Sequence, residues 1–153
     1  MASAVARGFP RVRIVRSAQN RGFAASANAG LTEILRSAPE SERPAWVLLL
    51  NDDATLEPGF CAAISPHLLT PEPWSMLAAL RLRDDDPERI DSAGLVLTAE
   101  GDGTDWLADE PRARAPRMPV EILGPSAGAA LYREELLAGL GGFEASFTAY
   151  FED

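Results

Sequence analysis

A strand that is apolar at every position must be covered on both faces, and the run from Trp46 to Leu50 is of that kind. Its composition, Trp-Val-Leu-Leu-Leu, is short and ends abruptly at Asn51, Asp52 and Asp53. Such a run suits the buried strand of a parallel sheet, and in open α/β sheets ligands bind at the carboxyl ends of the strands. Adjacent carboxylates repel one another unless a proton or cation intervenes, and a hard divalent ion holding a phosphate-rich ligand is a usual reason for them. A polar turn that caps the next helix explains the same residues. On these residues alone both readings stay open.

The remaining strands and helices alternate. Val12–Val15 reads as a short β-branched strand, and a helix is expected from about Ala24 to Ser37. Phe23, Ala27, Leu31, Ile34 and Leu35 recur at three- and four-residue spacing and would form its buried face. After Trp46–Leu50, the Glu57, Pro58, Gly59 segment signals a helix start, with a break at Pro66. Ser75–Leu82 reads as one strand, Gly94–Thr98 as a short edge strand, and Glu100–Pro119 shows no periodicity. Val120–Leu123 and Ala129–Tyr132 read as strands flanking the small-residue loop Gly124–Gly128. A helix from Arg133 to Leu140 would stop at Gly141 and Gly142. This alternation predicts an α/β fold, a mostly parallel sheet with crossover helices, and reveals no boundary between domains.

Charge and composition exclude some tasks. The 153 residues are 46% hydrophobic and 24% charged, as in a globular domain. Fourteen basic residues, all arginine, face 23 acidic ones for a formal charge of -9, which argues against nucleic acid as a partner. A lone Cys61 excludes an intrachain disulfide and a cysteine metal cluster, and its apolar neighbours on a helix predict burial. No apolar run approaches the ~20 residues of a membrane span, and no signal peptide is apparent.

Three segments, in order, resemble glycosyltransferase family 2, the inverting sugar-nucleotide transferases, with the rhamnosyltransferase-like members nearest. Asn20 to Gly30, with Gly22, Phe23 and Asn28, is similar to the family's Asn-x-Gly-Phe…Asn-x-Gly segment. Leu48 to Asp53 looks like its strand ending in an Asp-x-Asp-type metal motif, with Asn51 in place of the first Asp. Gly128 through Gly141, Gly142 and Phe143 to Glu152 and Asp153 looks like the acceptor-side segment that ends in a Glu-Asp pair.

The resemblance implies a GT-A, Rossmann-like domain and transfer of a sugar, plausibly a deoxyhexose, from a nucleoside diphosphate sugar to a glycan or lipid-linked acceptor. It assigns Asp53 and Asn51 to a Mg²⁺ or Mn²⁺ ion and Asp153 to the catalytic base, with Glu152 orienting base or acceptor. Asn20, Gly22, Asn28, Asp52 and Gly128 become substrate-binding candidates, and Trp106, in an acidic loop, the candidate for stacking on a sugar. It further implies cytoplasmic polysaccharide or cell-wall synthesis, with peripheral membrane association through a longer parent protein. Relative to the family, segments expected before Pro10 and after Asp153 are missing, so residues 1–153 read as a partial catalytic domain, weakly active and marginally stable alone.

Taken singly, these residues have plainer explanations. Asn20 is equally a helix cap, Asn28 a surface residue, Gly22 a tight turn, and Glu152 with Asp153 an exposed acidic chain end. Gly124 and Gly128 could serve a bend between strands. His67 reads as a loop or helix-end residue, Asp84 to Asp86 as a solvated turn, and Trp46 and Trp74 as packing groups. Two rival functions also fit: another metal-dependent nucleotide-binding α/β enzyme, such as a nucleotidyltransferase, and a non-catalytic binding module. A nucleotidyltransferase would be favoured by a glycine-rich phosphate loop carrying a lysine, and the sequence has no lysine.

Overall fold

The computed structural model describes residues 7–9, 11–71 and 73–146. These fall into two compact units, one of the described residues up to Arg43 together with those from Leu140 on, the other of the described residues between Pro44 and Gly139.

In the first unit the main element is helix α1, Gly22–Ser37. Its start is set locally: the Asn20 side-chain oxygen accepts the Gly22 N–H at 3.0 Å, and Gly22 takes a φ of 83°, a left-handed conformation that suits glycine. Ala24 and Leu31 are its buried residues, whereas Phe23, Ala27, Ile34 and Leu35 are half-buried. The predicted strand at Val12–Val15 does not form; its apolar side chains Val12, Ile14 and Val15 are exposed. β-branched composition alone cannot make a strand where no partner supplies a ladder.

The second unit contains three small sheets. Strands β1 (Trp46–Leu50) and β2 (Met76–Ala78) lie on either side of β7 (Ala129–Arg133). Between β2 and β7 in sequence, β3 (Arg81–Leu82) pairs β4 (Ile90–Ser92), and β5 (Leu95–Leu97) pairs β6 (Gly103–Asp105). Helix α2, Phe60–Leu69, follows β1, and α3, Glu134–Leu140, follows β7 directly.

Every strand pairing among the described residues is antiparallel, so a Rossmann-like, mostly parallel sheet is not the architecture here. The overturning element is β7. It runs opposite to both β1 and β2 and occupies the place between them, from Trp46↔Arg133 to Leu50↔Ala129 on one side and Met76↔Tyr132 to Ala78↔Ala130 on the other. β1 and β2 do run in the same direction, but they share no hydrogen bonds. As the central strand, β7 buries Ala129, Ala130, Leu131 and Tyr132 on both faces. The apolar run of β1, which suggested a strand covered on both faces of a parallel sheet, is only partly covered: Val47 is buried and Leu50 is exposed.

Other elements also depart from expectation. Ser75–Leu82 splits into β2 and β3, which enter different sheets. Val120–Leu123 is not a strand, although Leu123 N–H and Gly124 O both bond to Leu95. Pro66 sits inside α2 without ending it. Cys61, expected to be buried, is exposed, because α2 has no fully buried residue.

Candidate functional site

β1 delivers Asn51, Asp52 and Asp53 at its carboxyl end. The Asn51 N–H donates to Gly128 O at 3.2 Å, which extends the β1–β7 pairing past Leu50. The Ala54 N–H then donates to Asn51 O at 3.2 Å, so the chain turns at once and Asp52 and Asp53 are held in solvent on the turn. Among the described residues neither carboxylate has an ion-pair or hydrogen-bond partner. Nor do they cap the following helix: α2 starts after Gly59, at a φ of 91°, with no side-chain cap bond. The plain explanation as a capping turn therefore fails, and two free carboxylates remain beside an amide oxygen.

That donor set fits a hard cation of limited protein ligation. No group of three or more His, Cys, Asp or Glu side chains gathers among the described residues. A Mg²⁺-type ion does not need one, since it is commonly held by one or two carboxylates with the remaining positions filled by phosphate and water. Asp53 and Asp52 with the Asn51 carbonyl supply that number.

Gly128 joins this strand end through its carbonyl, and its opposite side is covered by Arg81. In the sequence Arg81 is one polar residue within the mostly apolar Ser75–Leu82 segment. Its guanidinium donates from Nη1 to Ser126 Oγ at 2.9 Å and pairs through Nη2 with Asp91 at 2.9 Å and Asp105 at 3.7 Å. Its one sequence signal is position: a cation on a mostly apolar strand, with acids close downstream.

The other candidates fall elsewhere. Asn20, Gly22 and Asn28 belong to the first unit. Asn20 is spent on the Gly22 N–H, and both ends of the Asn28 amide are spent on the backbone of Phe143. Trp106 is half-buried and lines an apolar cleft of about 770 Å³ in the second unit, together with Phe60, Ile64, Trp74, Met118 and Pro125. Asn51, Asp52, Asp53 and Gly128 do not line that cleft. His67, in the last turn of α2, does. Trp46 packs as expected, donating from Nε1 to Leu68 O at 3.2 Å with the Arg133 guanidinium 4.8 Å over its ring. Glu152 and Asp153 lie outside the described residues.

Asp84 to Asp86 form the charged turn that was expected, though not a merely solvated one. Arg83 donates to Asp109 and to both Asp85 oxygens at 3.0 Å, and the bonds to Asp85, with the guanidinium's charge, hold its carboxyl below the ordinary aspartate range. No helix among the described residues is long and apolar enough to cross a membrane. Comparison with protein-family models, with curated proteins and with solved structures found no match.

Proposed function

We propose that the chain serves an inverting, metal-assisted glycosyl transfer from a nucleoside diphosphate sugar to a glycan or lipid-linked acceptor. The observation that carries this reading is the strand-end triplet: two carboxylates and an amide whose side chains have no partner among the described residues, on a turn fixed by the Asn51–Gly128 bond where β1 leaves the sheet. The order of the three sequence segments supports it.

In this reading Asp53 and Asn51 would hold the divalent cation, with Asp52 beside them. When bound, the cation offsets the charge that collects on the departing diphosphate. The bond between the anomeric carbon and the diphosphate oxygen breaks with its electron pair on that oxygen. The acceptor hydroxyl forms the new bond from the opposite face of the sugar. Its proton passes to Asp153, which inversion requires to stand across the ring within hydrogen-bond reach, with Glu152 orienting it. In this reading Trp106, which lines the apolar cleft, stacks on a sugar or on an apolar portion of the acceptor.

The test is calorimetric titration of the protein with nucleoside diphosphates and their sugars, with and without Mn²⁺. Cation-dependent binding that weakens at least about tenfold in Asp53→Ala and is untouched in Asp84→Ala is the expected result. Binding that is indifferent to Mn²⁺ and to Asp53 would sink the proposal.

A further inference from the structure

We infer that Arg81 is a positioning residue for the strand-end triplet: by clamping the turn from Ser126 to Gly128 it sets the Gly128 carbonyl against the Asn51 N–H. The inference rests on the proposed function only for its consequence, the placement of Asp52 and Asp53 for a cation.

The backbone of Arg81 belongs to β3, whereas its side chain reaches the loop that precedes β7. There it is 24% exposed and held from two directions, by Ser126 at Nη1 and by Asp91 at Nη2. The planar fork meets the two partners from separate, fixed nitrogens, whereas a lysine ammonium would offer its donors from one point on a flexible stem. With Asp91 and Asp105 already offsetting its charge, Arg81 is poorly placed to attract an anion, and holding the turn is the task left to it.

Gly128 shows what the clamp acts on. Its φ is not positive, so its backbone does not require glycine. Space does: a methyl group there would overlap Arg81 Nη1 and stand 3.0 Å from Cζ and 3.1 Å from Cδ. On its other side the Gly128 carbonyl accepts the Asn51 N–H at 3.2 Å. One buried residue thus separates the guanidinium from the start of the acidic triplet. The turn is closed by Ala129 N–H to Ser126 O at 3.4 Å, so a shift of Ser126 is passed to Gly128.

Amide hydrogen exchange by NMR on Arg81→Lys, Gly128→Ala, Arg81→Ala and the double variant Arg81→Ala/Gly128→Ala tests this. In Arg81→Lys and in Gly128→Ala the Asn51 amide should exchange about tenfold faster, the equivalent of one net hydrogen bond, while the ladder amides of β1 and β7 keep their rates. In the Arg81→Ala background, adding Gly128→Ala should accelerate Asn51 no further, because the methyl then has room. Mn²⁺ should broaden the Asp53 resonances of the unaltered protein, and less so those of Arg81→Lys. Unchanged Asn51 exchange in both single variants would overturn the inference, as would acceleration spread evenly over the whole sheet or full additivity in the double variant. If Mn²⁺ broadens nothing at Asp53 in the unaltered protein, the cation reading falls, and the exchange rates still decide the role of Arg81.

Discussion

The side chain of Asn28 pairs with the backbone of Phe143 as one strand pairs with another: Nδ2 donates to Phe143 O and the Phe143 N–H donates to Oδ1, both at 2.8 Å. A helix side chain thereby ties down the chain just past α3, and the Phe23 ring meets the Phe143 ring edge-on, centroids 5.9 Å apart. Asn28→Ala leaves two partly buried backbone groups to find other partners and should destabilise by about 1–3 kcal/mol. Asn28→Asp should be no better, since a carboxylate can accept the N–H but faces the Phe143 carbonyl without a donor. Urea denaturation of the two variants checks both values.

Gly142 stands against the same amide. At a φ of 94°, a Cβ would overlap Asn28 Oδ1 and crowd Cγ at 2.9 Å. Gly142→Ala should cost roughly 1–3 kcal/mol from the backbone conformation alone, and the displaced amide adds to that. Gly30, in the middle of α1 with nothing within 4 Å of its Cβ position, gives the opposite sign. There alanine should stabilise by about 0.5–1 kcal/mol, so thermal melts of the two variants should move in opposite directions.

Asp85 gives a pH dependence of known sign. Its carboxyl is held low in the folded state by hydrogen bonds from Arg83 first and by that guanidinium's charge second. The stabilisation from this pairing is therefore present above the ordinary aspartate value of about 3.9 and is lost as pH falls through the depressed one. A carboxyl ¹³C titration should place the Asp85 midpoint below that value. Arg83→Gln should move it up.

Cys61 should behave as a surface thiol. Exposed on α2, it should react fully with a maleimide under native conditions, before any unfolding. Protection until denaturant is added would contradict its placement.

How much could be read from residues alone follows the kind of signal each segment carries. β1 and the turn after it were legible, because an unbroken apolar run meeting three polar residues admits few conformations. So was the end of α3, where Gly141 and Gly142 both take positive φ. Pairing was not legible: nothing in Ala129–Arg133 tells which way its neighbours run, and direction decides between the expected parallel sheet and the antiparallel one. Val12–Val15 had strand-like residues but no partner, and Ile90–Ser92 had a partner but too short a pattern to notice. Asn51, Asp52 and Asp53, at the proposed site, stand out by residue type alone. Arg81 does not, since its significance comes from a glycine far along the chain.

The insertion of β7 between β1 and β2 also fixes an order of events during synthesis. β1 is complete at residue 50 and β2 at residue 78, yet the strand that bonds to both does not begin until residue 129. At the ~5–20 residues per second of translation, two apolar segments emerge and wait for seconds with their backbone groups unpaired. Closure then depends on long loops rather than on local turns, which slows folding. A nascent chain halted before residue 129 would display both segments at once, the state in which such a protein is most exposed to chaperones or to its own copies.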